Sequence, residues 1–168
     1  GGKVLVVSTD PGVSSVDARV AGFGDAANGN KKFNYIGVQY SHNDPATAQR
    51  IITAALSKNK DIVAVFATNL FSAQGVATGI KQAGKAGKIS VVGFDAGSDQ
   101  VKALKAGVVQ ALIAQQPASI GSQGIEAAVK AIGGGTVSPH AVKTGFTILT
   151  KKNIDTAAGK KAQYRDAC

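Results

Sequence analysis

The stretch Ile62-Val63-Ala64-Val65-Phe66-Ala67-Thr68-Asn69 decides the fold. Its first six residues are apolar without alternation, which suits a central strand covered on both faces. Its tip is polar. A segment with helical spacing follows over residues 71–86, carrying Gly75 and Gly79 four apart. Each interior glycine weakens a helix by about 1 kcal/mol, so the pair predicts a close approach to the sheet or to a neighbouring helix.

The same rhythm extends in both directions. Hydrophobic runs at 4–8, 35–40, 62–69, 90–95 and 108–115 each end in a polar residue. Four of the five lead directly into helical spacing. The pattern predicts a three-layer α/β domain, with a mostly parallel sheet and helices on both faces. The remaining helices are expected at 14–27, 46–58, 99–106 and 118–132, with a last strand at 145–150. Val16, Val20, Phe23 and Ala27 form the buried stripe of the first helix, with Ser14 or Ser15 as its N-cap. Asp44 before Pro45 is an N-cap followed by proline at the first helical position. Ser98 reads as a cap and Gly107 as a helix stop. In open sheets of this kind, ligands sit at the carboxyl ends of the strands, so the polar tips are the place to look for function.

Composition narrows the choices. The 168 residues fit one domain with a sizeable core, and a 44% hydrophobic content excludes disorder. The longest apolar stretches are strand-length, too short for a membrane-spanning helix. No signal peptide is visible, since residues 1–3 lead straight into a strand. The net charge of +9 is dispersed, apart from a basic tail holding Lys151, Lys152, Lys160, Lys161 and Arg165. A nucleic-acid binder concentrates its charge and interleaves aromatics, so the charge reads as a solvated surface and not as a nucleic-acid interface. The tail over 154–168 is expected to be loosely ordered, with Cys168 a free thiol at its end. One cysteine permits no internal disulfide, and Glu126 is the only glutamate.

Chemistry is argued by elimination. His42 and His140 have no ligand partners at metal spacing, so no metal site is expected. There is no Gly-x-Ser-x-Gly elbow and no Cys–His pairing, hence no catalytic residue and no enzyme. Residues 10–13 are not a dinucleotide fingerprint. Gly133-Gly134-Gly135 follows a helix instead of opening one, so no nucleotide cofactor is implied. What remains is Asn43, Asn69, Asp95 and Gln115 at strand ends, with Arg19 on the first helix. Amides that donate and accept, a carboxylate that accepts and a guanidinium that donates match a polyhydroxyl compound. Singly, each reads more readily as a cap or turn residue than as a ligand, and Asn69 in particular is placed to be an N-cap.

Several segments resemble the second lobe of ribose-type solute-binding proteins, the type I sugar receptors of bacterial ABC importers. They are Gly2 to Ser8 with Pro11-Gly12, Asp17-Ala18-Arg19-Val20-Ala21-Gly22-Phe23 and Val65-Phe66-Ala67-Thr68-Asn69. To these are added Ala83-Gly84, Val91-Val92-Gly93-Phe94-Asp95, Ala114-Gln115-Gln116-Pro117 with Ile120-Gly121, and Lys151-Lys152-Asn153. The resemblance covers about 1–153. It implies a periplasmic-binding-protein-like fold, one lobe of two, that binds a monosaccharide or similar polyol. It also implies a membrane permease as partner and a periplasmic or extracytoplasmic location. By the same resemblance Arg19, Asn69, Asp95 and Gln115 are sugar ligands, Asn43 lies at a pocket position, and Phe71 lies near the mouth. Leu70 departs from the aspartate usual there.

The family's first lobe has no counterpart in this chain, so a missing lobe or a second chain is expected to complete the cleft. In relatives the helix at 118–133 packs on that other lobe. Without it, each exposed aliphatic side chain forfeits about 1.5–3 kcal/mol, so the helix is expected to repack on its own sheet, pair with another molecule or be mobile. Two other classes stay in view. The effector-binding domain of a LacI-type transcription regulator shares the fold but needs a DNA-binding headpiece. A flavodoxin-like enzyme needs a phosphate loop.

Overall fold

The first strand, β1 (Gly2–Ser8), buries Val4, Leu5, Val6 and Val7 in succession, as a strand covered on both faces does. This is the pattern of an interior strand, and the computed structural model, which describes residues 1–165, places it there. Six strands form one sheet in the order β2 (Phe33–Tyr40), β1, β3 (Ile62–Ala67), β4 (Ser90–Phe94), β5 (Ala111–Gln115), β6 (Phe146–Leu149). All neighbours are parallel except β6, which pairs antiparallel with β5. The predicted mostly parallel α/β sheet is therefore observed. β3 is interior as expected, although Val63 near its amino end is 39% exposed.

Connectivity sets the layers. The β1–β2 step runs one way along the sheet, and the next three steps run the other way. Right-handed crossovers then put α1 (Ser14–Asn28) on one face and α2 (Pro45–Lys58), α3 (Leu70–Gln82) and α4 (Ser98–Ala106) on the other. On the α1 face, Phe23 stacks on Phe66 at 5.4 Å between ring centres and meets Tyr35 edge-on at 5.8 Å. On the opposite face, α2 and α3 pack together through the two glycines. A Cβ on Gly75 would overlap the Pro45 carbonyl and come within 2.5 Å of the Ala48 Cβ; one on Gly79 would overlap the Ile52 side chain. The predicted close approach is a helix–helix contact.

Local signals held at several boundaries and moved at others. Asp44 caps α2, accepting from the Thr47 amide at 2.7 Å, with Pro45 opening the helix. Gly107 ends α4 at φ 79°. α3 stops earlier than its periodicity implied, because Gly84 turns left-handed at φ 64°. Neither Ser14 nor Ser15 caps α1; Val13 is its N-cap, without a side-chain bond, and Asp17 accepts from the Gly12 amide at 2.9 Å instead. Ser98 is the first residue of α4, not its cap; Gly97 precedes it and donates its amide to the Gln100 side chain at 2.9 Å. The apolar run at 108–115 begins before its strand, with Val108 and Val109 buried in the α4–β5 turn.

Two regions depart from expectation, the first only in that one of its three expected outcomes is excluded. The helix α5 (Pro117–Ile132) does not repack on its own sheet. It buries none of its residues and leaves Ile125, Val129 and Ile132 at 68%, 64% and 87% exposure. One residue, Gln116, separates β5 from α5, whereas two to five residues reverse the chain after β1, β2, β3 and β4. The sheet is correspondingly bare beyond the reach of α1. Register places Val92, Phe94, Ala111, Ile113 and Ile148 on the same face as Phe66, and Ile148 and Phe146 on β6 are 52% and 64% exposed.

The second departure is the tail. It is not loosely ordered from residue 154 to the end of the described chain. Ile154 is buried in the core, and α6 (Ala157–Ala162) follows, capped by Thr156. Gly159 lies so close to Asn153 that a side chain would overlap its carbonyl. Ile154 and the partly buried Ala162 and Tyr164 anchor the segment to the core. Cys168 lies outside the described residues.

Candidate functional site

Residues 68–70, from the end of β3 to the first residue of α3, hold the other strand ends together. The Thr68 carbonyl accepts from an Arg19 Nη at 2.9 Å. The Asn69 side-chain amide donates to Asn43 Oδ1 at 2.6 Å, and its Oδ1 accepts from the Ser72 amide at 3.2 Å. The Leu70 amide donates to Asp95 Oδ2 at 3.1 Å. Asp95 Oδ1 in turn accepts from Gln115 Nε2 at 2.7 Å. All five residues singled out from sequence thus meet at the carboxyl edge of the sheet, in one connected set. Asn69 is both a helix cap and a member of that set.

Each position follows from its element. Arg19 stands in α1, which packs over β1 and β2, and its guanidinium carbon lies 3.5 Å from the centre of the Phe94 ring, a cation–π contact. Burial pushes its pKa down, opposed by the negative charge of Asp95. One of its N–H donors goes to Thr68; the others meet no protein acceptor among the described residues. Asp95 follows β4 at φ 77°, a left-handed conformation that aspartate tolerates better than most residues and that marks functional turns. His42 and Asn43 after β2 are also left-handed, at φ 53° and 55°. His42 Nδ1 pairs with Asp10 Oδ1 at 2.5 Å, tying the β1 and β2 ends together at the rim.

Beneath the edge lies a floor of buried hydroxyls. Ser8 pairs with Thr68 at 2.9 Å, and the Ser41 hydroxyl donates to the Ser8 carbonyl at 2.9 Å and pairs with Ser72 at 3.0 Å. All four side chains belong to fully buried residues. Ser8, a strand tip in the sequence, is therefore structural. Satisfied networks of this kind hold strand ends in one arrangement. The Thr9 hydroxyl is buried with no hydrogen-bond partner among the described residues.

Four contributors escaped sequence reasoning. Phe94 lay inside a motif already noted, and its place directly before Asp95 was the available signal. Asp10 and His42 are common turn residues and gave none. Tyr164 lies in the segment assigned to a loose tail, yet its hydroxyl donates to Asp95 Oδ1 at 3.0 Å and accepts from the Gln115 amide at 3.0 Å. Leu70 contributes through its backbone, so the bond to Asp95 does not depend on the side chain there; that side chain lies against Gly97. Phe71 is 39% exposed beside this edge.

The site is an open shelf. Two concavities lie elsewhere: one between α3 and α4 lined by Thr78 and Lys102, the other at the amino edge lined by Asn59 and Lys88. Among the described residues no cluster suits a metal, and no helix is long and apolar enough to cross a membrane.

A mostly parallel α/β sheet that gathers polar side chains from successive strand ends on one open edge presents them where open sheets of this kind bind ligands. The periplasmic binding protein domain family matches residues 1–136, and the chain belongs to that family. The family is one of binding proteins, not enzymes. A D-allose-binding periplasmic protein of Escherichia coli is 34% identical over 139 residues, which are 83% of this chain and 45% of that protein. The ribose import binding protein RbsB of Salmonella typhimurium is 37% identical over 134 residues, 80% of this chain and 45% of that one. A crystal structure of an ABC transporter solute-binding protein from Agrobacterium vitis, bound with α-D-tagatopyranose, superposes with a TM-score of 0.95 at 37% identity. The match covers 98% of this chain and 55% of that chain. The chain spans about half the length of the curated relatives it matches.

Proposed function

We propose that this chain is the sugar-binding C-terminal lobe of a substrate-binding component of an ABC-type sugar importer, operating outside the cytoplasm. The observation that carries the reading is the connected set at residues 68–70. It fixes Arg19, Asn43, Asn69, Asp95 and Gln115 on one edge while leaving donors on Arg19. A carboxylate accepts about four hydrogen bonds, and Asp95 receives three from protein, so an acceptor site remains beside those donors. A hydroxyl can donate to Asp95 and accept from Arg19 at once. The relatives named for allose and ribose, and the tagatose complex, support a monosaccharide as the ligand.

The mechanism that follows is closure. A second lobe, from the same polypeptide or another chain, faces the shelf and covers the apolar side chains of α5. Ligand touches both lobes only in the closed form, so it shifts the equilibrium toward that form, which a membrane permease receives. With half of the contacts, this chain alone binds sugar weakly. Titration with D-allose, D-ribose and D-tagatose, followed by amide NMR, is expected to give a Kd in the millimolar range, about 4 kcal/mol of binding. The shifting resonances are expected at Arg19, Asn69, Asp95 and Gln115. Saturating sugar that moves none of them, or moves only residues at the opposite edge, would overturn the reading.

A further inference from the structure

We propose that Tyr164 is a positioning residue of the sugar site, setting the Asp95 carboxylate for its ligand. This rests on the sugar-binding reading above. The segment that carries Tyr164 is fixed at several points. Ile154 is sunk in the core, Gln163 Nε2 donates to the Ile154 carbonyl at 2.8 Å, and the Tyr164 amide donates to the Ala96 carbonyl at 3.0 Å. The last bond, to the residue directly after Asp95 in the turn beyond β4, brings the tyrosine beside that carboxylate. The hydroxyl then bridges two strand ends, donating to Asp95 Oδ1 and accepting from the Gln115 backbone amide.

The bridge has a consequence for the carboxylate. Asp95 stands in a left-handed turn, and its orientation rests on three donors from three places: the Leu70 amide at the start of α3, Gln115 at the end of β5, and Tyr164 after α6. Two of these share Oδ1. Removing the phenol oxygen leaves that atom one donor and leaves the Gln115 amide without its acceptor. The carboxylate and the Gln115 side chain then lose their common register. Burial keeps the phenol protonated, its pKa pushed up to about 12, so it remains a donor throughout the neutral range. An opposite role is conceivable from the same contacts: a hydroxyl that occupies a ligand's place. The bond from a backbone amide argues against it, because that strand-end amide needs an acceptor whether or not sugar is present.

The test uses the whole chain with Tyr164→Phe, which keeps the ring, together with Asp95→Asn and the double variant. The probe is whichever of D-allose, D-ribose and D-tagatose binds tightest. Tyr164→Phe is expected to weaken binding roughly tenfold, as loss of a hydrogen bond to a charged group does. The double variant is expected to bind no more weakly than Asp95→Asn alone, because Tyr164 acts through that carboxylate. Without sugar, Tyr164→Phe is expected to shift the Gln115 side-chain amide resonances. Tighter or unchanged binding in Tyr164→Phe, or penalties that simply add, would overturn the proposal. If the parent protein binds none of the sugars, the sugar reading fails by itself, and unmoved Gln115 resonances would then sink the positioning role separately.

Discussion

Tyr164 also makes a prediction at the residue scale that needs no ligand. Its phenol pKa is raised from 10.0 to about 12, chiefly by burial. A raised folded-state pKa means that the folded form favours the neutral phenol. The associated stability is complete below pH 10 and is lost as pH rises through about 12. Absorbance titration of the phenolates is expected to show this tyrosine ionising late, and Tyr164→Phe is expected to remove that step. A wild-type and variant with superimposable alkaline titrations, apart from one ordinary tyrosine, would contradict the buried placement. The contrast with Asn69 is instructive. Its place before a helix made it legible as a cap, and it is one, but its bond to Asn43 depends on a turn 26 residues away.

Among the elements, the α2–α3 pair is where backbone proximity matters most. Gly75 faces the Pro45 carbonyl and Ala48, both of which belong to the neighbouring helix and cannot yield as a flexible side-chain tip can. Gly75→Ala raises helix propensity by about 1 kcal/mol, but overpacking of this kind costs about 1–3 kcal/mol, and backbone in the way puts the cost at the upper end. The variant is expected to be less stable by about 1–2 kcal/mol net in a denaturant titration. A more stable variant would mean that the helices are farther apart than described. The same contact explains why α3 carries two glycines that propensity alone disfavours. Because α3 begins at Leu70, within residues 68–70, its seating also sets the height of the site.

At the scale of the whole molecule, two apolar surfaces stand uncovered: the outer side chains of α5 and the sheet face across β4 to β6. Ile125→Ser with Val129→Ser is expected to leave the unfolding free energy of this chain within about 0.5 kcal/mol, since neither side chain is buried in it. A loss of several kcal/mol would show that α5 folds back on its own sheet. Net charge plays no comparable part. The +9 is spread over the surface and is not focused on the shelf, where Asp95 balances Arg19.

The order of strands and helices, the interior place of β1 and β3, the cap of α2 and the polar strand tips were written in local patterns, because period, turn chemistry and capping act over a few residues. So was the set of candidate ligands, since a parallel sheet carries every strand end to one edge. Partnership within that set was not local. That residues 68–70 would hold Arg19, Asn43 and Asp95, and that Tyr164 would swing in from an apparently loose tail, came only with tertiary structure, because each of those bonds joins segments brought together by the sheet. The loneliness of α5 was likewise decided there: its stripe asks for a partner, and only the folded chain shows that its own sheet does not supply one.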